Sequence, residues 1–395
     1  MSLNATASGE RLHIAFFGLR NVGKSSLVNA VTGQNLSIVS DIKGTTTDPV
    51  QKAMELLPIG PVLIIDTPGI DDDGTLGELR VEKTRNILGK TDVAVLVSDA
   101  NKSLQKEELA LIDEFKTKKI PYIITLNKTD LLDTIVNNIE NSLLVSAKTG
   151  EGIFELKKTL GKIGKKEKNK QLLGDLINTG DMFMLVTPID ESAPKGRLIL
   201  PQQQTIREIL DNNAIAIVSQ VNELSNAISS LSQKPKMIIT DSQVFGKVAQ
   251  IVPEDIPLTS FSILFARYKY DLATVVKGAI KLDNLLDNDT ILISEGCTHH
   301  RQCDDIGTVK IPNWVKKHSG KQLNFEFTSG GEFPKDLSKY SLIIHCGACM
   351  LNDREMNTRM TRAIEQGVPF TNYGVAIAQM HGILKRSVTP FNISI

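Results

Sequence analysis

The chain has 395 residues, with 45 Lys+Arg balanced by 45 Asp+Glu. Hydrophobic residues make up 41% and charged residues 23%, which suits a globular chain of two or three domains, each with its own core. The neutral balance argues against a protein that lives on nucleic acid, which is usually basic. No apolar run approaches a membrane span or a signal-peptide core, so no membrane association and a cytoplasmic location are expected.

In chain order, the apolar runs HIAFF, VLIID, VAVLVS, YIITLN and LLVSA alternate with helical stretches up to about residue 165. Such alternation predicts βαβ units and a mostly parallel sheet. The first run leads into GLRNVGKSS, which fits GxxxxGKS from Gly18 to Ser25. Gly18 and Gly23 let backbone N–H groups wrap phosphates, and the helix entered at Lys24, Ser25 and Ser26 adds a favourable field. Lys24 should reach the β- and γ-phosphates, and Ser25 should ligate Mg²⁺. GTTTDP, Gly44 to Pro49, reads as a switch loop whose Thr46 meets Mg²⁺ and the γ-phosphate. DTPG follows VLIID; its Asp66 should hold Mg²⁺ through water, and the Gly69 N–H should sense the γ-phosphate.

NKTD follows YIITL and supplies Asn127, Lys128 and Asp130. The Asp130 carboxylate can accept two hydrogen bonds from guanine, a pair that adenine lacks. At about 1.5–3 kcal/mol for each bond to a charged group, guanine should be preferred by about 10² or more. SAK, which is Ser146, Ala147 and Lys148, follows LLVSA and would close over the base. Five motifs in this order, each at the end of an apolar strand, read as one nucleotide site for GTP or GDP. The seven lysines between 157 and 170 read as the end of a last helix and a solvated linker.

A second unit begins near Gly174, with strands expected at 182–188, 214–220 and 236–241 and helices near 203–212, 222–232 and 243–251. It carries no motif with attached chemistry. After Pro253 and Pro257, one long amphipathic helix, SFSILFARYKYDLATVVKGAIKL, is expected to open a third unit. That unit holds strands at 290–296, 323–329 and 341–347 and a helix from about Asp353 to Gln366. The expected fold is therefore α/β throughout: a P-loop nucleotide domain followed by two smaller α/β domains, with boundaries at 1–170, 171–258 and 259–395.

All four cysteines fall in the third unit: Cys297 and Cys303 in CTHHRQC, and Cys346 and Cys349 in HCGAC. Both motifs follow a strand. If those strands are parallel in one sheet, both loops lie on the rim where open α/β sheets bind ligands. Gly347 and Ala348 leave room for a bulky inorganic group, and the following helix favours thiolates. Four readings stay open on the residues alone: an iron–sulfur cluster, a zinc site of three Cys and one His, a Cys346–Cys349 redox disulfide, or inert packing. The 45 residues between His299 and His345 exceed the spacing of compact zinc knuckles, which tilts toward a cluster.

From about residue 10 to 165 the motif set resembles the TrmE-Era-like branch of translation-factor-type GTPases. In potassium-activated members of that branch, an asparagine at the place of Asn21 helps to bind K⁺ beside the phosphates. Ile70 stands where Ras-like proteins carry a water-orienting glutamine. Slow hydrolysis is therefore expected; Asp71, Asp72 and Asp73 lie nearby in the sequence.

The whole chain, a GTPase domain followed by CxH and HCxxC, is similar to the FeFe-hydrogenase maturation GTPases. That resemblance implies that Cys297, Cys346 and Cys349 hold a four-iron four-sulfur cluster whose fourth iron position is labile. His299 and His345 sit in the motif, and Asp304 and Asp305 lie on the same loop. A labile oxygen or nitrogen ligand, Asp305 or His299, is favoured, and Cys303 is accessory. His300 and His381 read as surface or packing residues. The resemblance further implies a dimerising middle unit, larger homo-oligomers, and a carrier. It would receive a transient di-iron subcluster from two radical-SAM maturases and deliver it to apo FeFe-hydrogenase. The rival readings are a ribosome-assembly or tRNA-modifying GTPase with a structural zinc module, and a redox-sensing switch.

Overall fold

The computed structural model describes residues 6–35, 50–70, 84, 86–132, 139–164, 170–189, 198–296 and 305–393. The chain divides into two compact units, Met1–Glu167 and Lys168–Ile395.

The first unit contains strands β1 (Leu12–Phe17), β2 (Val50–Leu56), β3 (Gly60–Asp66), β4 (Val93–Asp99), β5 (Tyr122–Asn127) and β6 (Ser142–Leu144). Helices with described bounds are α1 (Lys24–Thr32), α2 (Lys106–Thr117) and α3 (Ile153–Ile163). The strand order is β2-β3-β1-β4-β5-β6; β2 runs antiparallel to β3 and the other pairs are parallel. β1 is buried along its whole length, as a central strand covered on both faces must be. Ile14 and Phe16 pack with Leu27 and Val31 of α1 and Leu156 and Leu160 of α3, while Ala15 and Phe17 face Phe115 of α2. That alternation is the two-residue period of a strand. Because β1, β3 and β5 are parallel, Gly18, Thr67 and Lys128 all emerge at one edge of the sheet. β2 was not among the expected strands. Its residues VQKAMEL are mostly exposed, as an edge strand allows, so no apolar run marks it.

The second unit holds two parallel sheets. The first is built from β7 (Met182–Val186), α4 (Leu200–Asp211), β8 (Ile215–Ser219), α5 (Leu224–Ser229), β9 (Met237–Thr240), α6 (Phe245–Ile251) and β10 (Leu258–Ser260), in the order β10-β9-β7-β8. Helices α7 (Phe261–Lys269) and α8 (Leu272–Ile280) lead to the second sheet. Its elements are β11 (Thr290–Ser294), α9 (Ile311–Ser319), β12 (Asn324–Thr328), β13 (Leu342–His345), α10 (Asp353–Glu365), β14 (Phe370–Asn372), α11 (Tyr373–Met380) and α12 (Leu384–Val388). Their order is β12-β11-β13-β14.

One apolar core spans both sheets: Met184 and Ile238 from the first, Leu292 and Ile343 from the second, with Ile263, Ala266, Val275 and Val276 of α7 and α8. The single long helix expected from Ser260 onward is instead two helices. Tyr270 is extended, and the Asp271 carboxylate accepts from the Thr274 N–H at 3.0 Å to start α8 afresh. Gly278 lets α8 lie against β14, since a Cβ there would come 2.0 Å from the Phe370 carbonyl oxygen. Among the described residues no helix is long and apolar enough to cross a membrane.

Candidate functional site

The phosphate loop runs from the end of β1 into α1. Gly23 caps α1 with φ +91°, and a Cβ there would stand 2.4 Å from Asn127 Nδ2, so both backbone and packing demand glycine. Lys24 is buried and its ammonium donates to the Gly18 and Leu19 carbonyls at 3.0 and 2.6 Å, folded along the loop that it should serve. Ser25 Oγ donates to Asp66 Oδ2 at 2.7 Å, which brings the two expected Mg²⁺ partners together. Asp66 is 1% exposed, and its Oδ1 is buried with no hydrogen-bond partner among the described residues. A buried carboxylate oxygen left so is costly unless a cation or its water meets it. The donor set therefore fits Mg²⁺. Asn21 adopts φ 59°, which turns the crest of the loop. Thr46 with the rest of Gly44–Pro49, and Asp71, Asp72 and Asp73, lie outside the described residues.

Asn127 ties the two halves of the site. Its Nδ2 donates to the Val22 carbonyl at 2.9 Å and its Oδ1 accepts from the Ala147 N–H at 3.0 Å. The phosphate loop and the SAK loop are thus held by one buried amide. Asp130 Oδ1 accepts from Ser146 Oγ at 2.7 Å, and Lys148 Nζ stands 3.9 Å from its Oδ2. These two contacts set the orientation of the Asp130 carboxylate. Lys128 bonds Asp99 at 2.7 Å. Burial pushes the Asp99 carboxyl up, but the bonds from Lys128 and Asn101 outweigh it and leave the group below its usual range. Asp99 was not read from the sequence; its only signal was its place at the end of an apolar strand. A cleft of about 330 Å³ lies between Leu19–Val22, Asp99 and Lys128.

In the second unit, β11 and β13 are parallel neighbours, with Ser294 opposite His345, as the rim argument requires. Cys346 N–H donates to the Ser294 carbonyl at 2.9 Å. Cys346 Sγ accepts from the Gly296 N–H at 3.1 Å and the Ala348 N–H at 3.3 Å. Cys346 and Cys349 form no disulfide with each other. Burial raises the Cys349 thiol above its ordinary value, against the backbone N–H groups of Cys349 and Met350 and the charge of Lys269. Lys269 is 2% exposed and pairs with Asp353 at 3.0 Å. Among the described residues nothing approaches the Cβ direction of Gly347.

His345 is fully buried, and burial followed by the Arg359 charge pushes its imidazole down to about 3. Asp305 Oδ2 accepts from the Gly307 N–H at 3.0 Å and the Thr308 N–H at 2.8 Å. Burial, then the charges of Cys346, Glu295 and Asp305, raise the Tyr373 phenol well above its ordinary value. Cys297, His299, His300, Cys303 and Asp304 lie outside the described residues. His381 packs its ring edge against Trp314 at 6.2 Å.

Comparison with known proteins finds three family models along the chain. A family model described as a 50S ribosome-binding GTPase matches residues 13–128. Models described as the hydrogen maturase F dimerization and tetramerization domains match residues 172–270 and 273–390. A tRNA modification GTPase MnmE from Clostridioides difficile (strain 630) is 37% identical over 155 residues, 37% of this chain and 33% of that protein. The MnmE of Endomicrobium trichonymphae is 34% identical over 203 residues, covering 48% of this chain and 44% of its own. The chain thus spans less than half the length of these curated relatives. Among solved structures, a point variant of Aquifex aeolicus Era bound to GDP.AlF4- has a TM-score of 0.35 at 21% identity, covering 53% of this chain and 92% of that one. The G domain of the T. maritima FeoB iron transporter has a TM-score of 0.31 at 24% identity, covering 40% of this chain and all of its own.

The first unit is a P-loop GTPase domain, which binds GTP and GDP with Mg²⁺ and hydrolyses GTP. With both hydrogen maturase modules following one another behind that domain, the chain belongs to the hydrogen maturase F family, and its GTPase domain to the TrmE-Era-like branch.

Proposed function

We propose that the chain is a GTP-hydrolysing, homo-oligomeric scaffold of FeFe-hydrogenase maturation that holds a four-iron four-sulfur cluster and passes a di-iron subcluster to the apo-hydrogenase. Cys346 and Cys349 would hold the cluster together with Cys297. One observation carries this reading: Gly296, the residue before Cys297, donates its N–H to Cys346 Sγ at 3.1 Å. Two stretches far apart in the chain therefore meet at one sulfur. The N–H donors around Cys346 suit a thiolate in an anionic cluster and would tune its potential. The bound cluster would supply an iron position open to an exchangeable ligand. Asp305 and His299 are the candidates for it, and the capping role of Asp305 fixes where its carboxylate stands.

In the GTPase domain, Gly18, Gly23, Lys24 and Ser26 would bind phosphates, Ser25 and Thr46 would ligate Mg²⁺, and Asp66 would hold it through water. Gly69 would sense the γ-phosphate, Asn127, Lys128 and Asp130 would read the base, and Ser146, Ala147 and Lys148 would close over it. Asn21 would place K⁺ beside the phosphates, with slow turnover. Two radical-SAM maturases would supply the di-iron unit. Three segments, 1–170, 171–258 and 259–395, would serve nucleotide turnover, dimerisation and cluster binding.

Anaerobic reconstitution with iron and sulfide tests the proposal. The expected result is a brown protein with a reducible cluster signal in EPR, lost in Cys346→Ala and in Cys297→Ala. A colourless protein that retains zinc through Cys346 and Cys349 would overturn the cluster and carrier reading and favour a structural zinc module.

A further inference from the structure

His345 opens the HCGAC motif, and its ring nitrogens are both engaged. Nε2 lies 3.1 Å from Arg359 Nη1, and Nδ1 lies 3.0 Å from the Cys346 carbonyl oxygen. A guanidinium has donors only, so Nε2 must offer its lone pair and Nδ1 must carry the proton. Arg359 is held in place: it is 3% exposed, its Nη2 donates to Glu355 Oε1 at 2.6 Å and to the Gly330 carbonyl at 2.7 Å, and it lies over the Phe333 ring. The imidazole itself stacks on Phe370 at 5.9 Å. The Tyr270 hydroxyl donates to the same Cys346 carbonyl at 2.9 Å. Two buried donors thus saturate one carbonyl oxygen. Because C=O and N–H of a trans peptide point in opposite directions, drawing this carbonyl inward turns the Gly347 N–H away from the core. The same peptide sets Cys346 Sγ against the Gly296 and Ala348 N–H groups.

We propose that His345 is a positioning residue and not an iron ligand: Arg359 locks it as the Nδ1–H tautomer, and it pins the Cys346 carbonyl so that the sulfur is aimed. The part that concerns iron rests on the cluster reading above; the tautomer does not. For His345 to ligate iron through Nε2, it would have to displace Arg359, which would then lose an acceptor inside the core. Ligation through Nδ1 would strip a donor from the Cys346 carbonyl and turn the ring off Phe370.

Two measurements on the full chain test this. Two-bond ¹H–¹⁵N spectra of the iron-free protein with ring-labelled histidine should show one Nδ1–H tautomer that disappears in His345→Asn. An Nε2–H pattern or an imidazolium at neutral pH for that ring would overturn the proposal. After reconstitution, pulsed EPR of the reduced cluster should show no histidine coupling that vanishes in His345→Asn; such a coupling would identify His345 as a ligand and refute the inference. The asparagine amide can replace the Nδ1–H donor, so His345→Asn should keep g-values and midpoint potential close to the parent. His345→Leu, which has no donor, should shift both, and a leucine variant indistinguishable from the parent would remove the positioning role. A protein that takes up no iron would sink the cluster reading and the iron half of this proposal with it, while the tautomer is still read from the iron-free spectra.

Discussion

Asn127→Ala should loosen the GTPase unit even without nucleotide. Asn127 is 2% exposed, and its amide bridges the Val22 carbonyl and the Ala147 N–H at 2.9 and 3.0 Å. Truncation removes both bonds and strands one acceptor and one donor in a place with little water. At about 1–3 kcal/mol for each unsatisfied group, the loss is about 2–6 kcal/mol, toward the lower end if a water enters the gap. That is a large share of the stability of a domain. Urea unfolding followed by circular dichroism, combined with hydrogen exchange, reads the effect unit by unit. Protection should fall in α1 and β5, where the bridge is anchored, and stay unchanged in β11 and β13. GDP affinity should fall about tenfold or more, because the same amide sets the spacing between the phosphate loop and the base loop. If unfolding moved by less than about 0.5 kcal/mol and α1 protection were unchanged, the bridge would be no more than a surface contact and the reasoning would fail.

Asp130→Asn leaves one acceptor and turns an amide N–H₂ toward the guanine amine. GDP binding should weaken by about 10–150-fold, the loss of one charge-assisted bond, while a xanthine nucleotide gains, as competition against a fluorescent nucleotide would show. Replacing K⁺ with Na⁺ should slow GTP hydrolysis; equal rates, followed by phosphate release, would dismiss a cation role for Asn21. Glu208 accepts N–H bonds from Leu172, Leu173 and Gly174 at 2.9–3.4 Å, and burial still raises its carboxyl above the usual range. A raised folded-state value means that the native chain binds the proton more tightly. This group therefore adds stability below its unfolded-state value and loses it as pH climbs through the folded-state value. Thermal unfolding of Glu208→Gln should lack that component, so the parent gains on the variant as the pH is lowered toward 4; a constant difference from pH 7 to 4 would contradict the assignment.

The nucleotide site was legible because its chemistry sits in short polar motifs that each follow a strongly apolar strand. Apolar runs fix the strands, parallel strands share an edge, and the motifs then have nowhere else to gather. Ser25 beside Asp66, Asn127 beside Ala147 and Asp130 beside Ser146 all follow from that logic. What escaped was set by tertiary contacts. β2 reads as polar because, among the described strands, it lies at the edge of the sheet and is mostly exposed. The break between α7 and α8 has no proline or glycine to mark it; Asp271 makes it with a side-chain cap, and burial on both sides hides the change of direction. Arg359 and Lys269 look in sequence like charges on solvated helix faces, yet they are 3% and 2% exposed because His345, Glu355 and Asp353 lie opposite them.

Those two buried cations also bear on how the second unit works. The dimerization model ends at residue 270 and the tetramerization model begins at 273, so the seam falls between α7 and α8. The physical core does not stop there. Ile263 and Ala266 before the seam pack in the same cluster as Leu292, Ile343 and Met356 after it. Lys269 meets Asp353, and Tyr270 donates to the Cys346 carbonyl, so the last two residues of the first module support the cysteine turn of the second. A buried ammonium such as that of Lys269 costs several kcal/mol without its carboxylate. Neither module can therefore keep its native packing without the other. A chain cut at the seam would lose the Tyr270 donor and the Lys269 charge together, and with them the fixed position of Cys346 and the electrostatic support of Cys349. Contacts that copies of the chain would make through the first module would be linked in this way, by two packed side chains, to the geometry of the thiols.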